Sequence, residues 1–111
     1  MKIEHRKVGS VDVLTPCGAL VDQDAGDFVE ALRKRLATPN PRVAVAMQEV
    51  PYLDSEAIEG LVGAADELAS HAGVLNLVSV NGTCRETLEL TGQADRFRFF
   101  QDVQDVAKCY L

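Results

Sequence analysis

The periodicities of the chain predict an α/β fold: one mixed sheet of about four to five strands, with helices packed mainly on one face. Three observations carry this. Two short apolar-rich segments flank Gly9-Ser10. After them, apolar positions recur by turns at helical and at strand spacing. The hydrophobic residues make up 47% of the chain with only 5% aromatic and no Trp, so the core must rest on aliphatic side chains. Strands that alternate with helices after a hairpin pair in parallel through right-handed crossovers, which gather the crossover helices against one side of the sheet.

Gly9-Ser10 is a two-residue type II′ signal and predicts antiparallel strands over 2–8 and 11–16. After Pro16-Cys17-Gly18, the positions Ala25, Phe28, Val29, Leu32 and Leu36 share a helical stripe, and Glu30 and Lys34 can pair one turn apart. A helix over 23–37 follows. Thr38-Pro39-Asn40-Pro41 must be a loop, because proline lacks an amide donor and pushes its predecessor into extended backbone. The apolar run 42–47 reads as the central strand.

From Ser55 onward Ile58, Leu61, Val62, Ala65, Leu68 and Ala69 define a second helix, with Gly73 as its expected left-handed stop. Residues 74–80 form another strand. Thr83-Cys84-Arg85-Glu86 has the form of a capping box, and Gly92 closes the short third helix it opens. A last strand near Phe97 to Phe99 and a C-terminal helix carrying Val103, Val106, Ala107 and Tyr110 complete the order.

The 111 residues suit a single domain over 1–111. A chain of this size buries roughly two-thirds of its unfolded surface, enough for a core without staples. With 17 acidic against 11 basic residues the net charge is −6, which repels polyanions, and nucleic acid is not an expected partner. The cluster Arg33-Lys34-Arg35 falls late in a predicted helix, where cations complement the negative helix end. The N-terminal segment has no signal-peptide core and no apolar run reaches membrane-spanning length, so no membrane insertion and a cytoplasmic location are expected.

Cys17, Cys84 and Cys109 are odd in number and far apart, which fits neither a disulfide framework nor a zinc site. They read as reduced, mostly buried small hydrophobes. His5 and His71 stand alone, so no metal or other cofactor is expected. The chain has no Gly-x-Ser-x-Gly elbow and no P-loop or dinucleotide loop, and His71 lies about four and a half helical turns from Ser55. Catalysis is not expected.

The sharpest local feature is Val50-Pro51-Tyr52-Leu53-Asp54-Ser55-Glu56, which delivers a carboxylate and a hydroxyl to a helix start. Either Asp54 or Ser55 can serve as N-cap, with Glu56 favouring the positive helix end. Alternatively Ser55 is exposed and phosphorylatable, since amide donors at a helix start accommodate a dianion. Phosphorylation there adds about 1.5 to 2 negative charges to an already acidic region.

At these residues the chain resembles the STAS family, in particular the bacterial anti-sigma-factor antagonists. The family's Gly-x-Leu-Asp segment is matched by Gly18-Ala19-Leu20, with Val21 in place of the Asp; Asp22 and Asp24 follow closely. Its Asp-Ser followed by a small residue, Gly and Leu is matched by Asp54-Ser55, then Glu56, Ala57 and Ile58. Its later Leu-x-x-x-Gly spacing recurs at Leu88 and Gly92, and Ala46 stands where a polar residue often ends the central strand.

The resemblance implies a STAS fold and partner switching. The unmodified protein would bind an anti-sigma factor that is also a histidine-kinase-like serine kinase, phosphorylation of Ser55 would end that binding, and a serine phosphatase would restore it. Gly18, Leu20, Asp22, Asp24, Asp54, Ser55, Glu56 and Ile58 are the expected partner-binding residues. STAS-like domains also serve as unphosphorylated adaptors or structural subunits of transporter and sensor assemblies.

Overall fold

The first turn depends on glycine. Gly9 has φ +61°, the left-handed backbone a type II′ turn requires at its first central position. That turn pairs β1 (Lys2–Val8) antiparallel with β2 (Val11–Cys17), from Val8↔Val11 out to Lys2↔Cys17. The structure, a computed structural model, describes residues 1–111. Strand β2 next pairs in parallel with β3 (Val43–Ala46), β3 with β4 (Leu75–Val78), and β4 with β5 (Phe97–Phe100). The strand order across the sheet is therefore the chain order, β1-β2-β3-β4-β5.

Helices α1 (Asp22–Leu36), α2 (Ser55–Ala69) and α3 (Gly82–Leu90) form the crossovers, and α4 (Val103–Lys108) follows β5. Side chains alternate across a strand, and the two faces are buried differently. Val43, Val45, Leu75 and Leu77 join Phe28, Leu32, Leu61 and Leu88 in a core of 21 buried residues beneath α1, α2 and α3. Their neighbours Ala44, Ala46 and Val78 point the other way, into a cluster of seven with Val11, Val13, Val103 and Val106. The fourth helix thus covers the opposite face, where alanines at 44 and 46 leave room for a short, thin layer. Ala46 is buried there, and a polar side chain at that position would have to enter an apolar cluster.

Three sequence expectations are corrected in detail. The cap of α3 is Asn81, whose side chain accepts from the Cys84 amide at 2.8 Å. Thr83 already lies inside the helix, and its carbonyl accepts from the Thr87 hydroxyl at 2.9 Å. After α2 the left-handed residue is Ala72, with φ +61°, and not Gly73. Gly73 serves proximity: its amide donates to the Leu68 carbonyl at 2.7 Å, and a Cβ there would stand 3.2 Å from that oxygen. The cysteines are all free, but only Cys84 is buried; Cys17 is half-buried and Cys109 exposed.

Candidate functional site

The two motifs singled out in the sequence become neighbours because the β2–β3 pairing continues past both strands. The Leu20 amide donates to the Tyr52 carbonyl at 3.0 Å, and the Asp54 amide donates back to the Leu20 carbonyl at 2.9 Å. Leu20 and Leu53 form a parallel bridge between them. The chain leaves this bridge on both sides into helices, so the starts of α1 and α2 sit side by side.

One carboxylate clasps both starts. Asp54 is the N-cap of α2 in extended backbone, and its Oδ1 accepts the Ala57 amide at 2.9 Å. Its Oδ2 accepts the amide of Asp22, the first residue of α1, at 2.8 Å. Helix starts carry amides with no partner inside the helix, and Val21 provides no side-chain cap for α1, so Asp54 meets a need of both helices. Asp22 holds φ +52° to aim its amide, a left-handed backbone that Asp tolerates better than most residues. The amides of Ala57 and then Asp22 hold the Asp54 carboxyl below the usual carboxylate range.

Because Asp54 is the cap, Ser55 is released from that duty. It is the first residue of α2, it is exposed, and its hydroxyl makes no hydrogen bond within the chain. Asp22 and Glu56 are also exposed, whereas Asp24, Gly18 and Ile58 are half-buried, the last against the core. Gly18 has φ +125°, a conformation that L side chains rarely adopt, and sits where the chain turns from β2 toward the bridge. Leu20 differs from the rest of the expected set. It is 0% exposed within the main core, so its side chain anchors the bridge and presents nothing to a partner.

Sequence reasoning missed Tyr52. It is 53% exposed, next to the exposed Pro51 in the loop that leads to Ser55. The signal was a lone aromatic in a polar entry loop of a chain poor in aromatics. Large exposed side chains of this kind supply area at binding surfaces. The segment that carries Tyr52, Asp54, Ser55 and Glu56 brings no cation of its own, since no Lys or Arg occurs between Val43 and Cys84. On the α1 side Asp24 lies 3.6 Å from the N-terminal ammonium.

Other chemistry near this end is muted. The Cys17 thiol lies 3.5 Å from a Glu49 carboxylate oxygen, and desolvation followed by that carboxylate pushes it up, away from the reactive thiolate. His71 is exposed beyond the far end of α2. No three His, Cys, Asp or Glu side chains come together as a metal site. No helix is long and apolar enough to cross a membrane.

The STAS domain family model matches residues 2–106. Among solved structures, a Thermotoga maritima protein described as an anti-sigma factor antagonist superposes with a TM-score of 0.81 at 21% identity, covering 96% of this chain and 92% of that one. The Bacillus cell fate determinant SpoIIAA in its phosphorylated form gives 0.73 at 13% identity, covering 97% and 99%. The murine anion transporter Solute Carrier 26 family member A9 gives 0.74 at 15%, with 95% of this chain matching 18% of the transporter. No curated protein sequence matches significantly. The structural likenesses share the fold at low identity, and the sequence match over nearly the whole chain establishes that this protein belongs to the STAS domain family.

Proposed function

We propose that the chain is an anti-sigma-factor-antagonist-type binding module, without catalytic activity, that docks an anti-sigma factor with serine kinase activity and is released by phosphorylation of Ser55. The observation that carries this reading is the division of labour at the start of α2: Asp54 does the capping, and Ser55 is left exposed with a hydroxyl the fold does not use. A phosphate on Ser55 would meet the helix-start amides and stay in water, so the domain itself tolerates it. A partner seated over Tyr52, Ser55, Glu56 and Asp22 would have to desolvate that charge beside existing carboxylates. Each roughly 1.4 kcal/mol so lost weakens binding tenfold. A serine phosphatase would reset the switch. The relatives described as antagonists and the SpoIIAA structure in phosphorylated form support this reading by analogy.

The test pairs mass spectrometry with calorimetry, using histidine-kinase-like ATPases encoded near the gene. Ser55→Ala should take up no phosphate yet bind with parental affinity, and Ser55→Asp should bind at least about tenfold more weakly. Equal affinity of the Asp variant and the parent would count against a charge switch. A second reading, an unphosphorylated adaptor in a transporter or sensor assembly, draws on Glu56 and Val21 at positions where the resembled family differs. It also draws on the anion transporter of which a matched segment shares this fold. Absence of phosphate on Ser55 with every such kinase would favour it.

A further inference from the structure

On the side of α1 and α2 turned away from the sheet, two hollows of about 460 and 420 Å³ follow one another along the helices. They share Val29, Arg33, Glu59 and Gly60 in their walls. Gly60 is explained within the chain, because a Cβ there would lie 2.2 Å from a Val29 methyl where the helices cross. Gly63 and Gly26 are not so explained. A Cβ on Gly63 meets nothing within 4 Å, and one on Gly26 meets only the tip of Glu56 at 3.7 Å, an ordinary contact. Glycine within a helix is unfavourable relative to alanine, and no intramolecular packing offsets that at either position. Both open into the groove, Gly26 at one end and Gly63 toward the other. A helix surface without Cβ atoms is where another backbone can approach closely.

Charge selects the visitor. Glu56, Glu59 and Glu67 line the groove and none is in an ion pair, whereas Arg33 is its only cation. A second copy docking face to face would set these carboxylates against their equivalents, which disfavours a symmetric dimer here. We propose that the α1–α2 groove seats a lysine- or arginine-rich helix of a partner protein, with that helix's small residues against Gly26 and Gly63. This goes beyond the Ser55 reading and does not depend on phosphorylation. It holds for an anti-sigma factor and for an assembly subunit alike.

The test uses the isotopically labelled full chain and a synthetic helical peptide of about eighteen residues, lysine-rich with alanines along one face. That peptide outreaches the roughly 16 Å from Gly26 to Ala37 at about 1.5 Å per residue. Saturable shifts are expected at the Gly26, Gly60 and Gly63 amides. Gly63→Leu and Gly26→Leu keep every charge and should lower affinity at least tenfold, with the same spectra reporting that each variant is folded. Gly63→Ala should raise Tm while weakening the peptide, a combination that a purely structural glycine would not produce. Undiminished binding by Gly63→Leu, shifts spread over the acidic surface, or no saturable binding would each overturn the proposal.

Discussion

Helices α2 and α3 begin in the same way and end up with different capacities. Each follows a parallel strand, and each is capped by an Asx side chain that accepts an amide three residues on: Asp54 from Ala57 at 2.9 Å, Asn81 from Cys84 at 2.8 Å. Beyond the cap they diverge. The second oxygen of Asp54 reaches another helix and accepts from Asp22, whereas the amide nitrogen of Asn81 donates to the Val50 carbonyl at 3.0 Å and steadies the loop before α2. The first helical residue is Ser55 in one case and Gly82 in the other. Capping is thus a shared structural requirement met without Ser55, and what distinguishes the α2 start is an unused hydroxyl beside the exposed carboxylates of Asp22 and Glu56.

The largest effect is expected from Asp54→Ala, which removes a cap and a charge-assisted bond to a second helix. It should lower stability by about 2 to 4 kcal/mol. Asn81→Ala removes one cap and a neutral tie, and should cost about 1 to 2 kcal/mol. Urea unfolding at unchanged slope measures both. Equal losses would show that the charge-assisted bond to Asp22 adds no more than the neutral tie from Asn81 to Val50, and that the two starts are energetically alike.

Acid separates them further. A carboxyl held below its unfolded pKa stabilises the fold fully above the unfolded value, and this is lost as pH falls through the folded one. The stability gap between the parent and Asp54→Asn should therefore hold at neutral pH and narrow below about pH 4. The gap to Asn81→Ala involves no titrating group and should not narrow for this reason. A parent-to-Asp54→Asn gap that stays constant down to the acid limit would break the assignment of Asp54 as a charged double clasp.

Legibility in the sequence followed the range of the interaction. The hairpin and the helical stripes are local patterns, and their spans hold to within one or two residues. So does the placement of Ser55 as the first residue of α2. Non-local geometry was less readable. Leu20 lies in a motif of half-buried residues, but the bridge to Leu53 turns it fully inward, and only the pairing across the sheet reveals this. Asn81 was passed over because Thr83 and Glu86 imitate a capping box two residues later. The clasp from Asp54 to Asp22 joins residues 32 positions apart, and no local pattern encodes it.

The smallest stability effects carry the most functional weight. Ser55→Ala and Gly82→Ser exchange the hydroxyl between the two starts without touching either cap. A Cβ at Gly82 meets nothing within 4 Å, so the new side chain has room. Both variants should unfold within about 0.5 kcal/mol of the parent, as expected for exposed positions away from caps and core. Their phosphorylation should differ. If a helix-start hydroxyl were all that a kinase reads, Gly82→Ser combined with Ser55→Ala would restore modification. If the kinase also reads Tyr52, Glu56 and the neighbouring Asp22, that double variant should stay unmodified. Recovery of phosphate by mass spectrometry in the double variant would reduce the distinction between the two helix starts to a single side chain.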